Sequence, residues 1–386
     1  MSPSPRVLVT GATGSLGPAL LPHLLRRAGS VVVLIRPGAA GARLRFDELI
    51  RTLSATAPPA EQRRLSFVEG ALPPAGAGLD GENLRLLARK VTHVLHLAAD
   101  TRFTLSLAAA RAANVETTIA ALRLASPFDR LEGFGFASTL YVAGTRTGEI
   151  LEQELVDTEF VNTYEQSKFE AERTLRTRMH ELPICVYRVA TLLGSSRTGR
   201  IGKPTAVHHA LRVFHQGLVP MVPGDPSAPL ELLDVEHAAE AVARLFMEGF
   251  EPGTTYHVAA GPERNFTLHE LVEETGRCLV ELDPDWARRG IESPPIVRSP
   301  TYALFERSVH EAGNPMMVGI LRGLSTFLPQ LSYPKRFDRR NTLRALPDWS
   351  PPHTREYYRM VLSYCLRTLW ANDVSGAATA RAATTR

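Results

Sequence analysis

Short apolar runs alternate with amphipathic stretches over residues 7–258 of the chain. The β-branched run Val7–Val9 is typical of a strand buried on both faces, and the leucines at positions 20, 21, 24 and 25 have helical spacing. Further predicted strands are Val31–Ile35, Leu65–Glu69, His93–Leu97, Gly133–Ala137, Ile184–Tyr187 and Thr255–Val258. Predicted helices are Gly81–Arg89, Leu105–Leu124, Gln166–His180 and Val235–Glu248. This alternation predicts a doubly wound α/β fold, a parallel sheet covered by helices on both faces.

The alternation fades after Gly261, and a different kind of structure is expected there. Residues 283–300 are rich in proline, and Arg355–Trp370 has the spacing of an amphipathic helix. We predict a doubly wound domain over 1–261, a smaller, mostly helical substrate-side subdomain over 262–370, and a flexible tail over 371–386. The apolar stretch Met316–Leu328 either lines a substrate pocket or packs against the core.

Composition and charge restrict the class of protein. Of the 386 residues, 44% are hydrophobic, which is enough for a large core and excludes wholesale disorder. The net charge of +4 is too small to indicate a nucleic-acid partner. Apolar runs fall short of the roughly 18–20 residues of a membrane span, and the first residues lead into a strand pattern instead of a signal peptide. We expect a cytoplasmic protein without a membrane span; the sequence leaves its oligomeric state open.

Cysteine and histidine positions form no metal or disulfide pattern. The three cysteines, at 185, 278 and 365, are far apart and odd in number, so we expect reduced thiols. His93 and His96 lie at a strand end, and three further histidines lie on a predicted helix, without a carboxylate or thiolate to complete a ligand set. We predict core or surface histidines and no metal, and we interpret His257 as a buried structural group.

A glycine-rich turn follows the first strand directly. Gly11 allows the tight turn, Gly14 allows phosphates to approach the backbone, and Gly17 allows the next helix to pack closely. Strand, turn and helix N-terminus in this order place backbone N–H groups on the pyrophosphate of a dinucleotide. The alternative is an ordinary βα turn. We favour the dinucleotide, which makes 1–261 a Rossmann domain that binds NAD(P); a P-loop is excluded because no Gly-Lys-Ser/Thr follows.

Basic residues end the second strand, where an NAD site would carry an acidic one. Arg36 stands at that end and Arg43 follows it. Guanidinium groups suit a 2′-phosphate by charge and by paired N–H geometry, so the sequence favours NADP. The alternative is that both are ordinary surface arginines.

Tyr164 and Lys168 are four residues apart and therefore on one face of a predicted helix. A phenol is a poor proton donor near neutral pH, and a nearby ammonium is expected to lower its pKa. Tyr164 is then expected to exchange a proton with a carbonyl or alcohol as hydride moves. Ser138 and Thr139 end a predicted strand, so a hydroxyl there stands at the edge of the sheet where doubly wound folds bind ligands.

At this point the chain resembles an extended short-chain dehydrogenase/reductase, and more narrowly the male-sterility branch, which includes fatty acyl-CoA reductases and thioester reductases. The segments that carry the resemblance, within residues 1–275, are Val9–Gly17, Leu34–Arg36, Arg43-Leu44, Gly78-Leu79, Val94–Asp100, Asn114–Thr118, Ser138–Val142, Tyr164–Lys168 and Arg188–Gly199. Two positions depart from the family pattern. Ala71 replaces an aspartate near the adenine, and Val189 replaces a proline after Arg188.

The resemblance implies a set of functional residues. It implies Thr139, Tyr164 and Lys168 as the catalytic set, and Asn114 as the residue that steadies the active-site helix and the proton relay. The cofactor-binding residues that it implies are Thr10, Gly11, Thr13, Gly14, Ser15, Leu16, Gly17, Arg36, Arg43, Ala98, Ala99 and Lys168.

The resemblance also implies an activity. We expect an NADPH-dependent reductase that converts an acyl thioester, as acyl-CoA or bound to a carrier protein, to an aldehyde, with further reduction to an alcohol left open. One alternative is an NADP-dependent hydroxyl/ketone dehydrogenase or a sugar-nucleotide epimerase or dehydratase of the same superfamily. A second is a redox sensor that binds NADP without turnover, which the intact Tyr164/Lys168 pair disfavours. The basic run Lys335–Arg344 is interpreted as a solvated face, with the phosphates of coenzyme A or an acidic carrier protein as the alternative ligands.

Overall fold

The computed structural model describes residues 4–38, 41–73, 78–325 and 327–370, so the predicted tail over 371–386 lies outside the described residues. The chain divides into two compact units. Described residues within 1–191, 235–259 and 337–350 form the first unit, and those within 192–234, 260–336 and 351–386 form the second. Within these described ranges, no helix combines the length and the apolar character needed to cross a bilayer.

The strands of the main sheet match the predicted ones closely. They are β1 (Arg6–Thr10), β2 (Ser30–Ile35), β3 (Leu65–Glu69), β4 (His93–His96), β5 (Gly133–Thr139), β6 (Ile184–Val189) and β7 (Thr255–Val258). Shorter strands are Gly148–Ile150, Thr191–Gly194, Val222–Pro223, Leu232–Asp234, Ile296–Val297 and Lys335–Phe337.

Helices separate these strands. They are α1 (Gly17–Arg27), α2 (Gly41–Leu53), α3 (Pro59–Gln62), α4 (Gly81–Lys90), α5 (Leu107–Arg111), α6 (Thr117–Ala125), α7 (Thr163–Arg176), α8 (Ala206–His215), α9 (Val235–Met247), α10 (Leu268–Leu282), α11 (Pro284–Arg288), α12 (Ser299–Ala312), α13 (Pro315–Leu324), α14 (Arg340–Ala345) and α15 (Thr354–Tyr364). Short 3₁₀ turns cover Leu140–Ala143, Pro262–Arg264 and Leu328–Ser332, and π-helical turns cover Ala112–Glu116 and Cys365–Leu369.

The seven-stranded sheet has the order β7-β6-β5-β4-β1-β2-β3, and every neighbouring pair is parallel. The chain therefore proceeds from β1 outward in one direction to β3 and then returns to add β4 on the other side of β1. This reversal is the topological switch point of a doubly wound sheet, where ligands bind at the carboxyl ends of the strands. The predicted fold class is confirmed.

Both faces of the sheet are covered. Leu8, Val94, Phe134 and Val186 are buried on one face in a cluster with apolar side chains of α4, α6 and α7. On the other face Gly135 lies against Phe246 of α9, where a Cβ atom would come within 2.8 Å of the Phe246 ring. Burial on both faces explains why these strands appear in the sequence as continuous apolar runs.

The second unit has an apolar core of its own. Buried side chains of α8, α10 and α15, among them Phe214, Leu279 and Tyr358, form one cluster. The hydroxyls of Thr275 and Tyr358 share a hydrogen bond of 2.5 Å inside it.

The apolar stretch Met316–Leu328, for which a pocket wall and core packing were the two alternatives, is largely α13. Leu321 and Leu324 pack there with Tyr302 of α12 and with Leu328 in a second cluster, and Leu321 is 1% exposed. Burial of this kind supports the packing alternative for Leu321. Met316, at the start of the same helix, is 61% exposed.

The two units are interleaved along the chain, whereas the sequence predicted one boundary at 261. Residues 192–234 belong to the second unit, and residues 337–350 return to the first. The buried carboxylate of Glu152 holds this returning segment. It accepts hydrogen bonds from the backbone N–H of His257 in β7 at 2.8 Å and from the hydroxyl of Thr342 at 2.6 Å. Periodicity along the chain predicts elements in order, and it contains no information on such a return.

Candidate active site

The glycine turn lies at the switch point, between the carboxyl ends of β1 and β4. Gly11 has a φ of +74°, and a Cβ atom there would come within 2.5 Å of the backbone nitrogen of Ala98 after β4. At Gly17 a Cβ atom would lie 2.0 Å from the carbonyl oxygen of Ala12. Only glycine fits both positions, so the turn packs against the segment after β4 and leads directly into the N-terminus of α1. This cradle fits the pyrophosphate of a dinucleotide.

The other predicted residues of this turn surround the cradle. Thr10 is buried at the end of β1, Leu16 is buried before α1, and Thr13 and Ser15 are half-buried in the turn. Ala98 is half-buried and Ala99 exposed directly after β4. Thr10 accepts a 3.4 Å hydrogen bond from the backbone nitrogen of Ala98, so the turn and the segment after β4 are joined.

Three arginines lie at the end of β2 and on α2, and their contacts differ. Arg36 is exposed at the end of β2. Arg43 forms a 3.0 Å ion pair with Asp47 one turn further along α2, and its side chain is 76% exposed. Arg45 donates to the hydroxyl of Thr13 in the glycine turn and to the carbonyl of Arg36, both at 3.0 Å. The contacts therefore place Arg45, which sequence reasoning missed, against the turn.

The predicted pair Tyr164/Lys168 lies on the first two turns of α7. Asn162 caps this helix by accepting a hydrogen bond from the backbone nitrogen of Glu165 at 3.0 Å. Both side chains are buried, with 8% of Tyr164 and 2% of Lys168 exposed. The ammonium of Lys168 donates to the carbonyl of Ala137 in β5 at 2.8 Å and lies 3.9 Å from the ring centroid of Phe136.

The Tyr164 side chain contacts a hydroxyl group and an aromatic ring. Burial raises the pKa of its phenol above the ordinary range, and a hydrogen bond with Thr139 acts in the opposite direction. Phe103 stacks on its ring with centroids 5.5 Å apart and planes at 20°. The structure thus brings Thr139 and Tyr164 together, as predicted. Phe103 comes from a loop without periodicity and was missed, since a loop sequence carries no signal for such a contact.

The pKa of Lys168 is lower than that of an exposed lysine. Burial lowers it to about 7, and the carboxylate of Glu172 opposes this shift. The expected lowering of the Tyr164 pKa by Lys168 is wrong: burial raises that pKa, and the hydrogen bond with Thr139, not Lys168, opposes the rise. The reason is local: both side chains of α7 are buried, so each charged form loses its hydration.

Asn114 lies in a π-helical turn, Ala112–Glu116, that interrupts the single helix predicted over 105–124. Its side-chain nitrogen donates to the hydroxyl of Ser167 in α7 at 2.9 Å and to the carbonyl of Asp100 at 3.1 Å, and its side-chain oxygen accepts from the nitrogen of Asp100 at 2.8 Å. Ser167 in turn donates to the carbonyl of Tyr164 at 2.9 Å. Asn114 therefore links the segment after β4 to the helix of Tyr164. Single-turn π bulges are frequent at functional sites.

His257 is held by protein groups on both of its ring nitrogens. No group of three or more His, Cys, Asp or Glu side chains in the part of the chain that is described is arranged to hold a metal ion. His257 bonds the guanidinium of Arg188 at 3.2 Å and the carbonyl of Asp338 at 2.8 Å. Arg188 also forms a buried ion pair with Glu172 at 2.7 Å.

Three buried histidines predict a loss of stability in acid. Burial lowers the pKa of His96 and His257 to about 3 and that of His208 to about 4. Because the unfolded chain binds their protons near pH 6.5 and the folded chain does not, stability is full above pH 6.5 and falls as the pH drops towards 4. The expected loss is at most about 1.4 kcal/mol per pH unit for each histidine. Melting temperatures measured from pH 8 to 4 test this; a constant value from pH 6.5 to 5 contradicts it.

Basic side chains of the run Lys335–Arg344 bond polar or acidic groups of their own unit. Lys335 is buried and donates to the side chain of Gln330 at 2.9 Å. Arg340 pairs with Asp338 at 3.0 Å, and Arg344 pairs with Glu251 at 3.2 Å. The prediction of a largely solvated face therefore applies to exposed Arg340 and Arg344 but not to Lys335.

The glycine turn, the Tyr/Lys pair and the sheet order have a counterpart among known families. A family model described as male sterility protein, an NAD-binding family, matches residues 9–242, more than half of the chain. The chain belongs to the male sterility protein family. Membership confirms the resemblance found in the sequence and the prediction of a domain that binds a nicotinamide cofactor.

This male sterility family member matches parts of larger proteins. The chain is 30% identical over 282 residues to an isonitrile lipopeptide synthase of Streptomyces coeruleorubidus, a match that covers 71% of this chain and 19% of the synthase. It is 24% identical over 333 residues to an aldehyde reductase of Aspergillus flavus, covering 80% of this chain and 32% of that protein. The chain thus spans less than a third of either relative.

Among solved structures, this family member is similar to the terminal R domain from the myxalamid PKS-NRPS biosynthetic pathway. The two share a TM-score of 0.74 and 24% sequence identity, and the match covers 95% of this chain and 91% of that one. The likeness establishes the fold. Activity towards a particular substrate needs an argument from the residues of the site.

Proposed function

We propose that the protein is an NADPH-dependent reductase that converts an acyl thioester, carried by a carrier protein or by coenzyme A, to an aldehyde. One observation carries the proposal. The hydroxyls of Thr139 and Tyr164 lie together, and Lys168 follows Tyr164 by one turn of α7. All three belong to the unit whose glycine cradle fits a dinucleotide. The similarity to a relative named as an aldehyde reductase supports a reaction in which a carbonyl group is reduced.

The cofactor proposed for this cradle is NADP. Gly11, Gly14 and Gly17 would hold the pyrophosphate, and Lys168 would bond a ribose hydroxyl. Exposed Arg36, and Arg45 of α2, which bonds the Arg36 carbonyl and the Thr13 hydroxyl, would face a 2′-phosphate. Guanidinium groups bind phosphate in a paired geometry. Arg43, already paired with Asp47, is the weaker candidate. When bound, the nicotinamide supplies the hydride.

The side chains at the end of β5 then determine where charge and protons go. As hydride reaches the thioester carbon, negative charge develops on the carbonyl oxygen, and the Thr139 and Tyr164 hydroxyls bind and stabilise it. Collapse of the tetrahedral species breaks the C–S bond, forms the aldehyde and releases the thiolate, which takes up a proton. One thioester, one NADPH and one proton give one aldehyde, one thiol and NADP⁺.

Lys168 predicts how this activity depends on pH. Its pKa is lowered to about 7 by burial, so the ammonium that stabilises negative charge beside Tyr164 is present below pH 7 and lost above it. Because kcat/KM for the cofactor reports groups of the free enzyme, it should fall about tenfold per pH unit above pH 7. The control is Lys168→Met, which should lack this decrease. A wild-type profile that stays level to pH 9 contradicts the role of Lys168.

A second reduction, from aldehyde to alcohol, is the other candidate activity. It is favoured by the relative named as an aldehyde reductase, which matches 80% of this chain. The same hydroxyl pair serves it, since an aldehyde carbonyl develops the same oxygen charge when hydride arrives. To test for the second reduction, the protein is given the aldehyde and NADPH, and the alcohol is quantified. Alcohol formation shows that the protein carries out both reductions.

The proposal is tested by offering the protein different carbonyl classes. NADPH oxidation is followed with acyl-pantetheine thioesters, acyl-CoAs, ketones and nucleotide sugars, and products are identified by mass spectrometry. Oxidation that depends on a thioester and yields an aldehyde supports the proposal. Turnover of ketones or nucleotide sugars with none of thioesters assigns the site to one of the other short-chain dehydrogenase/reductase activities.

A further inference from the structure

A chain of buried hydrogen bonds runs from the end of β1 to the π-helical turn, and His96 lies in its middle. The Nδ1 atom of His96 is 2.6 Å from the hydroxyl of Thr10, and its Nε2 atom is 3.4 Å from the hydroxyl of Thr118 in α6. Thr118 also bonds the backbone carbonyl of Asn114 at 2.7 Å. None of these four residues exposes more than 1% of its surface.

The donors and acceptors of these hydrogen bonds can be assigned in one consistent way. The carbonyl of Asn114 is an acceptor, so the hydroxyl proton of Thr118 points to it, and the Thr118 oxygen is left to accept from His96. His96 must then carry its proton on Nε2, which makes Nδ1 an acceptor for the hydroxyl of Thr10. The Thr10 oxygen accepts in turn from the backbone nitrogen of Ala98.

These hydrogen bonds connect the residues that hold the two ends of the segment after β4, residues 97–100. At one end of the segment, Thr10 accepts from the backbone nitrogens of Leu97, through its carbonyl at 3.0 Å, and of Ala98. At the other end, the side chain of Asn114 bonds both the nitrogen and the carbonyl of Asp100. His96 connects Thr10 to the backbone of Asn114 and so closes a ring around residues 97–100.

We propose that His96 is a positioning residue for the active site: as a neutral imidazole protonated on Nε2, it fixes residues 97–100 and the π-helical turn relative to the glycine turn. The inference rests on the proposed roles of that turn, of Tyr164 and of Asn114. His96 acts through Thr10 and Thr118, and its two ring nitrogens are both occupied by them.

The surroundings of the ring keep it neutral. His96 stacks on Phe136 at 5.9 Å and 20°, and the ammonium of Lys168 lies over the same Phe136 ring. A charged imidazole would be repelled by Lys168 and would lose its hydration, and both effects lower the pKa of His96 to about 3. A neutral ring matters because an imidazolium has two donors, and the second would remove the acceptor that Thr10 needs.

The test replaces Thr118, which leaves the imidazole itself in place. Thr118→Val keeps the branched shape and removes the hydroxyl, so it breaks the link between His96 and Asn114. We expect kcat to fall about tenfold, because small displacements of reacting groups cost up to roughly 10²-fold in rate. Thr118→Ser restores the hydroxyl and should return kcat to within about threefold of wild type. The matched control is Thr117→Val, a buried neighbour whose hydroxyl bonds the carbonyl of Ala112 at 3.4 Å, and its kcat should stay within about twofold.

A spectroscopic measurement keeps the inference testable without turnover. In protein labelled with ¹⁵N-histidine, long-range ¹H–¹⁵N correlations distinguish the two neutral tautomers from the imidazolium. We expect one histidine, assigned by its loss in His96→Gln, to show the Nε2–H form unchanged from pH 8 to 5, and Thr118→Val to shift its Nε2 resonance.

Three outcomes overturn the inference. They are an Nδ1–H form of His96, protonation of His96 near pH 6.5, and a Thr118→Val protein that loses thermal stability while its kcat and KM equal those of wild type. Tyr164→Phe, assayed in parallel, distinguishes a failure of the proposed function from a failure of the role of His96. If that variant keeps the wild-type rate, the proposed mechanism fails, while the tautomer measurement still reports on His96.

Discussion

Replacing Tyr164 with phenylalanine is expected to reduce turnover by ~10²–10⁴-fold and to leave NADPH affinity within about threefold of wild type. The phenol stabilises the negative charge that develops on the carbonyl oxygen, and it contributes little to binding in the ground state. Phenylalanine keeps the ring that stacks on Phe103, so the fold around α7 should be retained. Single-turnover kinetics and a fluorescence titration with NADPH measure the two quantities separately.

Lys168→Ala is the informative companion to that variant. Its ammonium bonds the carbonyl of Ala137 and is the group proposed to hold a ribose hydroxyl, so its loss should weaken both turnover and NADPH affinity. A Tyr164→Phe protein with the wild-type rate removes the proposed mechanism. Equal loss of NADPH affinity in both variants contradicts the separate roles of the two side chains.

Cofactor choice should depend on Arg36 and Arg45 and be insensitive to Arg43. A charge-assisted contact between guanidinium and phosphate contributes ~1.5–3 kcal/mol, or roughly tenfold to a hundredfold in affinity. Arg36→Asp and Arg45→Ala should each weaken NADPH by about that factor and change NADH affinity little. Arg43→Ala is the matched control on the same helix, because the guanidinium of Arg43 is already paired with Asp47. Its NADPH affinity should stay within about twofold.

Isothermal titration with NADPH, NADH and 2′,5′-ADP distinguishes the possibilities without an activity assay. Equal affinity of the wild-type protein for NADPH and NADH shows that none of the three arginines contacts a 2′-phosphate. A loss in Arg43→Ala that matches the loss in Arg36→Asp, with Arg45→Ala unaffected, reverses our assignment and restores the residues expected from the resemblance.

Features that depend on neighbours along the chain were predictable from the sequence. The strand, the glycine turn and the start of α1 are contiguous, and Tyr164 and Lys168 are one helical turn apart, so spacing alone places them. The buried strands could be predicted because a sheet covered on both faces needs continuous apolar runs. The position of Thr139 at the end of β5 follows from the same kind of pattern.

Features that depend on contacts across the fold were not predictable. Arg43 and Arg45 differ by two positions on α2, and which of them faces the glycine turn depends on where that helix begins after β2. The shift in the pKa of Lys168 depends on burial against Phe136, which lies 32 positions earlier in the sequence. The π-helical turn at Asn114 adds one residue to a helical turn, a change that the apolar spacing of the segment does not record. The return of residues 337–350 to the first unit depends on Glu152, which is remote in sequence from all of them.

The central claim, that a thioester is reduced to an aldehyde, is tested most directly by stoichiometry. The protein is incubated with NADPH and an acyl-pantetheine thioester, and oxidised cofactor, released thiol and trapped aldehyde are quantified together. The account predicts one thiol and one aldehyde for each NADPH oxidised when the aldehyde is trapped as it forms, and none of the three products above background with Tyr164→Phe. Folded protein that binds NADPH but releases neither thiol nor aldehyde from acyl-pantetheine, acyl-CoA or acyl-carrier-protein thioesters contradicts it.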